Sequence, residues 1–204
     1  MQRTGMFDST RPSELRHDPL QRRWVIIASE RGKRPIQFRP FGEMEKHGES
    51  CPFCPGNEGM TPDSILAYDD RGRIATGNDW KVRVVANKFP ALRVEEELSR
   101  KAVGQYDRMA GVGAHEVIIE TPDHNATMAD LSPDHLTTIL KVYRERILDL
   151  RNDTRLRYIL VFKNSGEPAG ASIPHSHSQI MATPTTPRTL AVELKSAQEH
   201  YQLE

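Results

Sequence analysis

The hydrophobic and polar positions of this chain fall into short apolar runs separated by breaker-rich stretches. Residues 23–28 form the first run and read as a strand. Residues 65–68, 81–86 and 116–121 read as strands too, the second with the clearest alternation. Residues 1–15 read as loose, Arg16 to Leu20 as a turn, and residues 93–112 as charged and irregular. Ser132 followed by Pro133 marks a helix start, with serine as N-cap and proline in the first position. Leu136, Leu140, Tyr143, Ile147 and Leu150 then recur at helical spacing and predict one apolar stripe facing a sheet. The run at 158–162 predicts a further strand, a glycine-bearing loop follows, and a last strand carries His175, His177 and Gln179. Prolines at 184 and 187 break the chain before a polar helix from about residue 188 to 201, with Leu190, Leu194 and Ala197 as its inner stripe. The pattern predicts a single α+β domain, a mostly antiparallel sheet covered on one face by the long helix.

The stretch 164–179 concentrates the candidate chemistry. Residues two apart on an extended chain point the same way, so His175, His177 and Gln179 are expected on one face. Gly166, Gly170 and Ser172 in the preceding loop allow close backbone approach and offer N–H and hydroxyl donors. Imidazoles beside a donor-rich loop suit phosphate chemistry. Earlier in the chain, the basic loop with Arg31, Arg34 and Pro35 could contact an anion, since guanidinium forks match phosphate oxygens. Asn87 and Phe89, at a strand end, could bracket a nucleotide base, or be a turn residue and a core aromatic.

Residues 36–65 have little periodicity, and Cys51 and Cys54 sit inside them. Pro52 between these cysteines, with Pro55 and Gly56 after them, argues against the helix start that a redox dithiol favours. A metal clip is the favoured reading, because such a turn aims two thiolates at one point and would hold a long patternless loop. Either His115 or His124 could join it, and spacing does not choose between them.

Composition narrows the function. Lys+Arg and Asp+Glu number 28 each, and this zero balance argues against a nucleic-acid partner. No apolar run approaches the roughly 20 residues that span a bilayer, so no membrane partner is expected. The opening residues lack the apolar core of a secretory signal, and cytoplasmic residence is the expectation.

With these motifs in place, the chain resembles the histidine-triad superfamily, and more closely the galactose-1-phosphate uridylyltransferase family. The likeness runs in order through residues 16–25, the Arg31–Arg34 loop, Cys51 and Cys54, and Asn87 to Leu92. It continues through Thr121 to His124, Asn164 to Ser172, and the His175, His177, Gln179 run. The resemblance implies a histidine-triad-like fold with a zinc-clipped loop region. It implies one structural zinc per chain on Cys51, Cys54, His124 and His175. It implies His177 as the nucleophile with Gln179 beside it, and a nucleotide held by Arg31, Arg34, Asn87, Phe89, Asn164, Gly170, Ser172 and Gln179. It further implies nucleotidyl transfer between a nucleotide sugar and a sugar 1-phosphate, by way of a covalent nucleotidyl-histidine, in a homodimer. Glu193 falls where some members place a ligand of a second metal. Ser176 stands where sugar-1-phosphate uridylyltransferases usually have proline, and resembles the relatives that act as ADP-glucose phosphorylases. The family is built of two similar halves, and the likeness covers the first.

Overall fold

The structure, a computed structural model, describes residues 13–34, 50–75, 77–104 and 106–203. Pro35 of the basic loop, the first twelve residues and residues 36–49 of the breaker-rich stretch lie outside them. In chain order the described elements are β1 (Glu14–Asp18), β2 (Arg23–Ile27), β3 (Ser64–Tyr68), β4 (Val82–Ala86), β5 (Arg100–Val103) and β6 (Tyr106–Ala110). After them come β7 (Ala114–Ile119), α1 (Pro133–Leu150), β8 (Tyr158–Phe162), β9 (His177–Thr183) and α2 (Arg188–Leu203). They form two antiparallel sheets where one was expected, of orders β2-β1-β6-β5 and β3-β4-β7-β9-β8.

The second sheet arose from strands whose apolar content announced them. The first did not. Arg16 to Asp18 belong to β1 and not to a turn, and part of the charged stretch 93–112 is β5 and β6. β5 is exposed throughout, whereas β1 and β6 are half-buried over most of their length and rich in charged residues; β1 buries Leu15, and β6 buries Met109. Leu15, Leu92 and Met109 form a small core, with Met181 of β9 packed against it, and this joins the two sheets. Gly113 lies at that junction. Its φ is +150°, and a Cβ there would run into the Ala182 carbonyl and the Leu92 side chain, so only glycine lets β7 start this close to β9.

All six residues of β7 are buried. On one face Ala114 and Ile118 cluster with Val82, Val84, Ile180 and Ala182, and with Ile139, Val142 and Leu150 of α1. On the other, Val117 and Ile119 cluster with Val85, Trp80 and the loop residues Cys51, Phe53 and Cys54. Helix α1 starts as expected, with the Ser132 side chain accepting from the His135 N–H and proline in the first turn. Its buried stripe is His135, Ile139, Val142, Arg146 and Leu150, whereas Leu140 is 61% exposed. The apolar spacing misled because two of the inward positions are polar and satisfied. Arg146 donates to both carboxylate oxygens of Glu116 at 2.8 and 2.7 Å, and His135 Nε2 lies 2.7 Å from the Glu120 carbonyl. The inner stripe expected of α2 is also absent: Leu194 is 58% exposed and Ala197 is exposed. No helix among the described residues is long and apolar enough to cross a membrane.

The Glu116–Arg146 pair has side chains only 5% and 10% exposed. Arg146→Met strands the carboxylate and should cost about 3–5 kcal/mol, whereas Arg146→Met with Glu116→Leu should regain most of that. Urea unfolding of the two variants checks both outcomes.

Candidate active site and metal centre

The H-S-H-S-Q run at 175–179 supplies two buried faces of one strand. His177 and Gln179 of β9 face Phe53 and the cleft described below, and His175 precedes the strand on the same side. Ser176 and Ser178 point the opposite way, as pleating requires. The regular strand begins at His177, not at His175.

On the first side, Cys51, Cys54, His124 and His175 bring their donor atoms within 4.8 Å of one another. The Cys54 N–H donates to the Cys51 carbonyl at 3.2 Å, and the Asn57 side chain donates to the same carbonyl at 2.8 Å, which closes the thiol turn. His175 Nδ1 lies 3.6 and 3.5 Å from the two sulfurs, and His124 Nδ1 lies 3.2 Å from Cys54 Sγ. Sulfur and nitrogen on one tetrahedral ion are about 3.6 Å apart for bonds of about 2.3 and 2.1 Å. The remaining nitrogen of His175 donates to the Thr121 carbonyl at 2.7 Å, which turns Nδ1 and its lone pair toward the thiols. The donor set therefore fits a metal ion. His115 is not part of it. Among the described residues no group of metal-type donors includes Glu193.

Phe53, between the two cysteines, packs its ring edge-on against His175 and His177, with centroids 6.1 and 5.2 Å apart. It separates the metal cluster from a cleft of ≈ 180 Å³. Arg34, Asn87, Phe89, Gly170, Ser172, His177 and Gln179 all line that cleft. His177 Nδ1 donates to the His175 carbonyl at 2.8 Å, so Nε2 is the ring nitrogen with the lone pair. Burial holds the His177 pKa below its ordinary value; the His175 carbonyl opposes this and the Lys163 charge supports it. The ring is therefore neutral at pH 7. Arg34 reaches the Gly170 carbonyl at 3.4 Å, at the lip of the Ser172 loop. The Asn87 side chain accepts from the Phe89 N–H at 2.9 Å, and Phe89 lines the cleft without joining any core cluster among the described residues.

Two expected site residues face elsewhere. Arg31 Nη1 donates to the Phe89 carbonyl at 2.8 Å and lies 3.2 Å from His115 Nδ1, behind the cleft wall. Asn164 donates to the Ala169 carbonyl at 2.5 Å and shapes the loop.

The opposite side holds a group that sequence reasoning missed. Glu120 has no exposed surface. Its Oε2 accepts from Lys163 Nζ at 2.5 Å and Ser176 Oγ at 2.6 Å, and its Oε1 accepts from Ser178 Oγ and from Tyr143 OH. Lys163 also donates to Ser176 Oγ at 3.0 Å and to the His177 carbonyl at 3.1 Å. Burial alone would raise the Glu120 carboxyl, but Lys163, Ser176 and Ser178 outweigh it and hold the pKa below the ordinary value. The signal was present: a glutamate closing the apolar run 117–119 and a lysine closing the run 158–162. Nothing in the sequence pairs them.

The family described as galactose-1-phosphate uridyl transferase, N-terminal domain, matches residues 4–187. The chain belongs to that family. An ADP-glucose phosphorylase of Arabidopsis thaliana is 36% identical over 193 residues, 93% of this chain and 54% of that protein. A galactose-1-phosphate uridylyltransferase of Thermotoga maritima is 26% identical over 190 residues, 93% of this chain and 52% of that protein. Among solved structures, an Arabidopsis thaliana ADP-glucose phosphorylase with bound ADP-glucose superposes with TM-score 0.63 at 33% identity, covering 94% of this chain and 55% of that one. A uridylyltransferase structure superposes with TM-score 0.70 at 24% identity, over 94% of this chain and 52% of that one, which speaks to the fold alone. The chain thus spans about half the length of the relatives it matches.

Lys163→Met leaves the Glu120 carboxylate buried without a cation and should cost about 3 kcal/mol or more. In the wild type, Glu120 adds stability above its unfolded pKa that is lost as pH falls through its lower folded value. In the variant the carboxyl pKa should rise, so protonation relieves it. Urea titrations should therefore find the gap between the two proteins wider at pH 8 than at pH 5.

Proposed function

We propose that this chain is the nucleotide-handling half of a nucleotidyltransferase that works through a nucleotidyl-His177 intermediate. The observation that carries the reading is the His177 ring: Nδ1–H is taken by the His175 carbonyl at 2.8 Å, and the ring borders the cleft beside Gln179 and Ser172. Nε2 attacks the α-phosphorus of a nucleotide sugar. The P–N bond forms as the bond to the bridging oxygen breaks, and sugar 1-phosphate leaves with that electron pair. A second sugar 1-phosphate then attacks the phosphorus and returns the pair to Nε2. Gln179, Arg34 and the N–H and hydroxyl groups around Ser172 offset the charge on the phosphoryl oxygens. Asn87 and Phe89 border the place of the nucleoside, with Arg31 and Asn164 supporting the walls. The histidine-triad-like arrangement, with α1 over one side of the sheet and the clipped loop over the other, gives this strand its rigidity.

UDP-glucose with a hexose 1-phosphate is the first reading of the substrates, as the family name suggests. ADP-glucose with orthophosphate as acceptor is the second. It is favoured by Ser176 between the histidines and by the 36% identity to the ADP-glucose phosphorylase. Zinc is the metal assigned to Cys51, Cys54, His124 and His175. With four protein donors it is structural and leaves no open position for a reactant. Thiolate ligands persist in a reducing compartment, which fits residence in the cytoplasm.

Mixing the protein with UDP-glucose, and separately with ADP-glucose, without acceptor should yield one acid-labile nucleoside monophosphate adduct by intact mass. The adduct's mass names the base. His177→Gly should abolish it with the fold retained, and an adduct that persists in this variant overturns the assignment. Metal analysis should find one zinc per chain. Cys51→Ser should lower zinc content and melting temperature together, because metal binding contributes folding free energy.

A further inference from the structure

His115 belongs neither to the metal cluster nor to the Glu120 network, yet it is 3% exposed and both its ring nitrogens are engaged. It lies on β7 two residues before Val117, which pairs with Gln179, so it is the diagonal neighbour of Gln179 on the cleft side of the sheet. The Ala91 N–H points at His115 Nδ1 at 3.0 Å, and Arg31 Nη1 lies 3.2 Å from the same atom. A backbone N–H and a guanidinium are donors only, so the form that meets both has Nδ1 as the acceptor and the proton on Nε2. Nε2 lies 2.9 Å from Gln179 Oε1. Asn87 Nδ2 also lies 3.2 Å from Nε2, and with Asn87 Oδ1 held by the Phe89 N–H this NH2 is one donor that the Nε2–H form leaves facing a proton. The other tautomer would set a proton on Nδ1 against two donors, so the Nε2–H form leaves fewer conflicts.

Both flips of a glutamine amide fit a cleft sterically, and only one of them suits a phosphate. Phosphoryl oxygens accept hydrogen bonds, and an amide oxygen turned toward them repels. We propose that His115 is the positioning residue for Gln179. Its Nε2–H holds the carboxamide oxygen, which leaves the NH2 group facing the phosphoryl group in transfer. Arg31 then acts through His115 and through the Phe89 carbonyl, which it also holds. Burial pushes the His115 pKa down to about 4; the Gln179 bond opposes this, and the charges of Arg31 and Arg34 add to it. The ring therefore stays neutral, and its single proton stays on Nε2, across the physiological range. This inference rests on the reading of the cleft as a nucleotide site.

Two measurements test it. In the full chain labelled with nitrogen-15 histidine, His115 should show the Nε2–H tautomer without titrating between about pH 5.5 and 8, and its Nε2 proton signal should move in Gln179→Ala. An Nδ1–H tautomer, an imidazolium in that range, or a signal indifferent to Gln179→Ala overturns the proposal, whatever the protein's activity. In the second, His115→Phe should slow adduct formation about tenfold or more. In a Gln179→Ala background it should change the rate by less than about twofold, because the two residues act as one unit. Equal slowing in both backgrounds overturns the positioning role. Absence of any adduct in the wild type counts against the proposed function, and the histidine spectrum still decides the role of His115.

Discussion

Strand β9 is buried on both faces between β7 and β8, and every side chain from His177 to Ile180 is buried. A polar group in such a place must be hydrogen-bonded or it destabilises the fold by about 1–3 kcal/mol. The five residues 175–179 are all polar, so the surrounding structure is arranged around their partners. His175 goes to the thiols and the Thr121 carbonyl, His177 to the His175 carbonyl, and Gln179 to His115. Ser176 and Ser178 go to Glu120. Among the described residues no side-chain polar atom is left buried without a partner.

This satisfaction links the metal centre, the cleft and the core. The thiol loop contributes Cys51, Phe53 and Cys54 to the same cluster that buries Val117 and Ile119, so anything that frees this loop would loosen one wall of the cleft. On the reverse side, Lys163 bridges the Glu120 carboxylate and the His177 carbonyl, which fixes the backbone from which the imidazole projects. The serine at 176 has a structural use here: it accepts from Lys163 and donates to Glu120, a link that a proline at that position could not make. An imidazole held from both sides in this way has little freedom to reorient.

Much of the second sheet could be read from the chain, because runs such as 82–86 and 158–162 are apolar enough to announce a buried strand. The start of α1 was equally legible, since Ser132 and Pro133 act locally. The gathering of Cys51, Cys54, His124 and His175 followed the resemblance, and the cleft collected Arg34, Asn87, Phe89, Gly170, Ser172, His177 and Gln179. In the first sheet only β2 was legible: β1, β5 and β6 are rich in charged residues, and their pairing depends on long-range register. The α1 stripe was misplaced for a related reason, because Arg146 becomes an inward residue only when Glu116 is opposite it.

By itself the sequence determined the local chemistry: which runs extend, where α1 starts, that a thiol pair and a histidine pair exist, and that residues 175, 177 and 179 share a side. Those properties follow from neighbours within a few positions, where backbone sterics and side-chain period act directly. Only the tertiary structure decided whom each polar group meets. His115 and His124 were equal candidates for the thiols along the chain, and the fold sends His124 to Cys54 and His115 to Gln179. Glu120 and Lys163 are 43 residues apart and meet at 2.5 Å. Such meetings depend on strand register and on how α1 residues cluster with those of the strands. A shift of one residue in register would exchange the two faces of β9 and leave all five polar side chains beside the wrong partners.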